Sequence, residues 1–143
     1  MNVENSSELS RRIGDLKREK NAVILAHYYT TPEVQAVADF LGDSLALSVR
    51  AQSVDADIIL FAGVHFMAET AKVLCPEKKV LIPCPEAGCS LAESCDAGEF
   101  AAFKAKYPGH TVVSYVNTTV GVKALTDICC CLLYTSDAAD DMQ

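Results

Sequence analysis

Residues 22–26, Ala22-Val23-Ile24-Leu25-Ala26, form an apolar run without a polar interruption. A strand with one wet face alternates apolar and polar side chains. A continuous run is instead the pattern of a strand covered on both faces, as in parallel sheets flanked by helices. Residues 58–62, Ile-Ile-Leu-Phe-Ala, repeat it. Further strands are read at Val80-Leu81-Ile82, stopped by Pro83, and at residues 111–116, and a fifth begins at Ile128-Cys129-Cys130.

Helical patterns separate these runs. Residues 8–20 place Leu9, Ile13 and Leu16 at helical spacing among Arg and Glu. Thr31 reads as an N-cap, with Pro32 at the first helical position and Glu33 behind it. Val34, Val37, Ala38 and Leu41 then keep a helical period until Gly42-Asp43-Ser44 breaks it, and Leu45, Val49 and Gln52 resume it. The expectation is two helices, with Gly42 closing the first and Asp43 or Ser44 capping the second. Helices are also expected at residues 66–74 and 99–106, and at 120–125 behind Asn117-Thr118-Thr119. The resulting β-α alternation implies an α/β fold: a three-layer α/β/α arrangement around one parallel sheet, joined by right-handed crossovers.

At 143 residues, half of them hydrophobic, the chain can build a core. Its net charge of −7 argues against a nucleic-acid footprint, which needs a basic face. No apolar run approaches membrane-spanning length, and the N-terminus lacks the basic and apolar regions of a signal peptide. Seven cysteines without an export signal point to a reducing, cytoplasmic setting, where thiols serve as core residues, metal ligands or nucleophiles.

Ligands of open parallel sheets bind outside the carboxyl ends of the strands. There the sequence offers His27, Tyr28 and Tyr29 after the first strand, and Gly63, His65 and Met67 after the second. Cys84, Glu86, Gly88 and Cys89 follow the third, and Tyr115 and Asn117 the fourth. His27 can donate to a carboxylate or carry a proton; Tyr29 can act as a phenolic acid or base, or simply pack. Ser44 lies where helix N–H groups favour an anion, though it could equally be an N-cap. Met67 suits a helix core equally well, and Asn117 before two threonines could be a cap. Cys84, Cys89 and Cys95 lack the tight pairing of zinc or ferredoxin motifs. Cys75, Cys129 and Cys130 read as buried thiols. Cys89, between Gly88 and Ser90, could ligate one corner of a cluster completed elsewhere in a longer chain.

The runs His27-Tyr28-Tyr29, Pro32-Glu33-Val34-Gln35, Val37-Ala38-Asp39-Phe40, Gly42-Asp43-Ser44-Leu45, Gly63-Val64-His65-Phe66-Met67-Ala68-Glu69-Thr70-Ala71-Lys72, Glu86-Ala87-Gly88-Cys89 and Ser114-Tyr115-Val116-Asn117-Thr118 occur in the order found in a known family. Across most of residues 9–130 the chain resembles the N-terminal part of the quinolinate synthases. The resemblance implies the first of three similar α/β domains around a central cleft. It also implies a [4Fe–4S] cluster held by one cysteine from each domain, and the condensation of iminoaspartate with dihydroxyacetone phosphate to quinolinate. L-aspartate oxidase is then the implied supplier of iminoaspartate. Carried across, Cys89 resembles the first-domain cluster ligand, and His27 and Ser44 the residues that bind the dicarboxylate. Tyr115, Val116 and Asn117 resemble a substrate-binding segment, Tyr29 the tyrosine of proton transfer, and Met67 a pocket-lining residue.

After Cys130 the pattern departs from the family. The expectation is a first domain over residues 1–117, the start of a second over 118–130, and a non-native read-through tail over 131–143. With one cluster cysteine of three, the chain alone is expected to be inactive. Read from the residues without the resemblance, two other accounts stand: a metal-free module binding phosphate or dicarboxylate, and a small zinc protein built on Cys84, Cys89 and Cys95.

Overall fold

Four parallel strands, β1 (Ala22–His27), β2 (Phe40–Gly42), β3 (Ile58–Ala62) and β4 (Lys79–Leu81), form a sheet in the order β2-β1-β3-β4 in a computed structural model describing residues 3–130, with side chains from Ser7 onward. The expected tail over 131–143 lies outside the described residues. The central register pairs Ala22 with Ile58 through Ala26 with Ala62. His27 pairs with Gly42 on the other side.

Helices cover both faces. Side chains alternate across a strand, and Ile24, Ala26 and Ala62 pack with Ile13 of α1 (Val3–Glu19) and with Val34 and Val37 of α2 (Pro32–Val37). The opposite face carries Leu25, Ile59 and Phe61, all fully buried. On that side α3 (Ser44–Ser53) packs against β1 and β2, α4 (His65–Leu74) packs against β4, and the two helices pack on each other. Their buried faces include Leu47, Ala51, Phe66, Met67 and Ala71. The three-layer α/β/α expectation therefore holds for this sheet.

Two polar ties lock the layers. The Asp39 carboxylate accepts the backbone N–H of Ile24 at 2.8 Å and pairs with the Lys17 ammonium at 2.7 Å, fixing α1, β1 and the entry to β2. The Lys78 ammonium donates to the carbonyls of Ala51 and Val54, holding the C-terminal end of α3 from the approach to β4. Asn21, at φ +47°, makes the left-handed corner between α1 and β1, a conformation Asn tolerates better than most residues.

The chain divides into two compact units, one up to Ala87 and one from Gly88 onward. The second holds α5 (Ser90–Glu93), α6 (Ala97–Lys104), β5 (Val113–Tyr115), α7 (Val120–Lys123) and β6 (Ile128–Cys130). Here β5 and β6 pair parallel with each other, Val113 opposite Ile128, as a separate two-stranded sheet. This corrects the expectation of one five-stranded sheet. Two shorter corrections concern local structure. The helix after Thr31 ends at Val37, and residues 40–42 form β2 instead of extending that helix to Gly42. The short α5 was not expected at all.

Candidate functional site at the sheet switch point

Strand order 2-1-3-4 makes the chain leave β1 in one direction and return past it to β3. Helix α2, which follows β1, lies on one face; α4, which follows β3, lies on the other. In doubly wound sheets a crevice opens where this reversal occurs, outside the carboxyl ends of the two central strands. His27 ends β1 there, and Gly63-Val64-His65 leads from β3 into α4.

His27 is half-buried, and burial pushes its imidazole below the usual range, against a smaller upward pull from the Asp43 carboxylate. The ring is therefore neutral at pH 7. Its Nδ1 accepts the backbone N–H of Tyr29 at 3.2 Å. A neutral imidazole whose Nδ1 is an acceptor carries its proton on Nε2. His27 is thus an Nε2–H donor. The Tyr29 ring lies 4.7 Å from the His27 ring, tilted by 55°, and the residue is 93% exposed.

The lowered imidazole sets a sign for pH dependence. A group depressed by folding contributes stability above its unfolded pKa, about 6.5 for His, and that stability is lost as pH falls through the folded value. Against a His27→Asn variant, the unsubstituted chain is expected to lose more stability as pH drops below about 6.5. Urea midpoints at neutral and acidic pH measure it; parallel loss in both proteins contradicts it.

Asp43 is the N-cap of α3, its carboxylate accepting the Ala46 N–H at 2.8 Å. Of the two expected caps it is Asp43 that serves, and Ser44 becomes the first helical residue. Met67 is 2% exposed. A Cβ placed on Gly63 would lie 3.2 Å from its sulfur and 3.3 Å from the Phe61 ring. The structure therefore puts Met67 in the core beneath the β3–α4 turn.

His65, one of the residues offered after the second strand, holds the segment after β4 twice. Its N–H donates to Ala87 O at 2.8 Å, and its ring Nδ1 lies 3.1 Å from Pro85 O. A carbonyl only accepts, so Nδ1 carries a proton here, unlike Nδ1 of His27; the other ring nitrogen, Nε2, lies 3.6 Å from the Glu69 carboxylate. Gln35 and Lys123 were missed as anchors. The only sequence signal for either was a polar side chain placed within a turn of a strand-end loop.

In the second unit, Cys89 is half-buried and occupies the N-cap position of α5 in extended conformation, without a side-chain capping bond. Tyr115 ends β5 and is 41% exposed. The Val116 N–H donates to Cys130 O at 2.7 Å, and the Lys123 ammonium donates to the carbonyls of Val116 and Thr118. Val116 and Asn117 are half-buried, and Thr119, not Asn117, caps α7. The expectation that all four strand ends meet on one sheet edge is thus corrected: β1, β3 and β4 share a sheet, whereas Tyr115 and Asn117 follow a strand of the other.

Among the described residues, no group of three or more His, Cys, Asp or Glu side chains could hold a metal ion. That leaves the zinc account through Cys84, Cys89 and Cys95 without support. A single half-buried thiol fits one corner of a thiolate-held cluster, for which cysteine is the characteristic ligand. Cys75, Cys84, Cys89, Cys95, Cys129 and Cys130 are all free thiols. No helix among the described residues is long and apolar enough to cross a membrane.

Fold and strand order define a doubly wound α/β protein whose switch point lies between β1 and β3. A family model described as quinolinate synthetase A protein matches residues 11–142. The chain is 63% identical over 123 residues to the quinolinate synthase of Prochlorococcus marinus, covering 86% of this chain and 37% of that protein. It is equally identical to that of Thermosynechococcus vestitus (86% and 39% covered), and 61% identical to that of Synechocystis (86% and 39%). The chain belongs to the quinolinate synthetase A family, and it spans less than two-fifths of the length of these relatives.

Proposed function

We propose that this chain is the first part of a quinolinate synthase, a cytoplasmic transferase of NAD biosynthesis that condenses iminoaspartate with dihydroxyacetone phosphate, releasing phosphate and two waters. The observation that carries the reading is His27, a neutral Nε2–H donor at the switch point with the Tyr29 ring tilted against it. A dicarboxylate is recognised by such a donor together with Ser44 at the start of α3, where the helix terminus favours an anion. The Tyr29 hydroxyl moves protons during enolisation, isomerisation and dehydration. Tyr115, Val116 and Asn117 contribute a second substrate-binding segment, its Val116 carbonyl held by Lys123. Cys89 is one ligand of a [4Fe–4S] cluster, the other two coming from two further domains of the complete protein. When bound, the cluster supplies an open iron position as a Lewis acid. The free thiols agree with a reducing compartment. L-aspartate oxidase is the proposed source of iminoaspartate.

The test uses a complete quinolinate synthase carrying this segment, reconstituted anaerobically with iron and sulfide. Iminoaspartate is generated in place by L-aspartate oxidase. Quinolinate is expected to form, and Cys89→Ser is expected to lose both the product and the bound iron. Quinolinate formed by Cys89→Ser at the unsubstituted rate overturns the assignment of Cys89.

A further inference from the structure

Tyr29 is nearly all exposed, and little but its own main chain can hold it in place. That main chain is bracketed by one side chain. The Gln35 amide nitrogen donates to Tyr28 O at 2.9 Å and to Thr30 O at 2.8 Å. Both partners are carbonyls, so the NH2 end of the amide must face them, and each accepts one of its two N–H groups. Gln35 reaches them because α2 begins directly after the turn. Thr31 O accepts the Val34 and Gln35 N–H groups at 3.0 Å, and Pro32 starts the helix, which brings Gln35 back over residues 28–30 one turn later.

We propose that Gln35 is a positioning residue: by tying the carbonyls on either side of Tyr29, it fixes the turn whose Tyr29 N–H sets the His27 tautomer. The remaining ties hold the turn only at its ends. Thr30 N–H and Oγ1–H both donate to His27 O, at 3.0 and 2.8 Å, and Tyr28 N–H donates to Gly42 O at 3.3 Å. None of these orients the Tyr28–Tyr29 and Thr30–Thr31 peptide planes. Gln35 orients both, and so directs the intervening Tyr29 N–H at Nδ1. Its loss leaves two carbonyls that water can satisfy, so the effect falls on geometry far more than on stability. The functional meaning of the inference rests on the proposed roles of His27 and Tyr29, whereas its structural content is read from the imidazole itself.

The experiment is long-range 1H–15N NMR of the three histidines in the labelled 143-residue chain at neutral pH, with His27 assigned by His27→Asn. The unsubstituted chain is expected to show a pyridine-type Nδ1 and a protonated Nε2 at His27. Gln35→Glu keeps the shape and removes the donors. It is expected to yield tautomer-averaged His27 signals and about tenfold faster Tyr29 amide exchange, the loss of about one hydrogen bond. Gln35→Lys restores donors and is expected to recover the pyridine-type signal, which a merely structural role would not require. His65 is an internal control whose ring-nitrogen signals stay unchanged. Unaltered His27 signals in Gln35→Glu overturn the proposal. So does free water exchange of the Gln35 side-chain amide in the unsubstituted chain, a measurement that needs no variant to fold. If Tyr29→Phe proves catalytically silent while the tautomer result stands, the functional reading fails and the positioning role survives.

Discussion

Replacing Tyr29 by Phe in a complete quinolinate synthase carrying this segment is expected to lower kcat by about 10²–10⁴-fold, the usual contribution of a positioned acid or base. KM should move by a few-fold at most. The substitution removes one oxygen and keeps the ring that lies tilted against His27 at 4.7 Å, so the imidazole and its donor geometry are preserved. The Tyr29 N–H that holds Nδ1 belongs to the main chain and survives the change. What disappears is one of the two phenols in the β1–α2 turn, the one whose ring lies nearer the imidazole, at 4.7 Å against 6.4 Å for Tyr28. Initial rates over a range of dihydroxyacetone phosphate concentrations separate the possibilities. A raised KM with kcat intact would make Tyr29 a binding residue and leave proton transfer to another group.

The parts of the fold legible in the sequence are those whose cause is local. β1 and β3 are apolar on both faces, and that pattern has one comfortable home, the centre of a parallel sheet. The cap before α3 was legible because an Asp or Ser ahead of an apolar helix satisfies N–H groups nearby. β2 was hidden because Val34, Val37, Ala38 and Leu41 continue a helical spacing that tertiary contacts interrupt. Ala38 turns extended, Asp39 exchanges hydrogen bonds with Ile24, and Phe40 takes its place beside Leu25 under the Arg50 guanidinium, 3.7 Å above its ring. None of those partners is a near neighbour in sequence. The β5–β6 pairing was hidden for a related reason: a strand's own residues say that it pairs, not which sheet receives it.

The candidate site divides along the same line. His27 and Tyr29 were legible by position, because strand ends are where such sheets bind ligands. The tautomer of His27 was not, since it depends on one backbone N–H reaching Nδ1. The burial of Met67 was legible from its place on the inner face of the helix after β3, whereas the closeness of its sulfur to Gly63 follows from how β3 turns into α4.

Phe61→Ala is the substitution expected to cost the most stability, about 3–5 kcal/mol, as for other buried aromatic truncations. Phe61 is fully buried in β3 and pairs in register with Leu25 of β1, so its ring fills the space between the sheet and the α3–α4 layer. The sheet cannot close over the gap without moving α4, whose first turn is bound through His65 to the carbonyls of Pro85 and Ala87. For a domain with a total stability of about 5–15 kcal/mol, that loss approaches the folding threshold. Phe61→Leu retains most of the volume and should cost appreciably less, which separates cavity formation from loss of aromatic contact. Urea unfolding of the three proteins, followed by circular dichroism, measures the difference. The ring also touches the space beside Gly63, so the Ala variant should loosen the β3–α4 turn at the switch point before it unfolds the chain. Hydrogen exchange at Val64 and His65 that rises ahead of the global transition would show this. Exchange that rises only with global unfolding would mean that the turn is held by His65 alone.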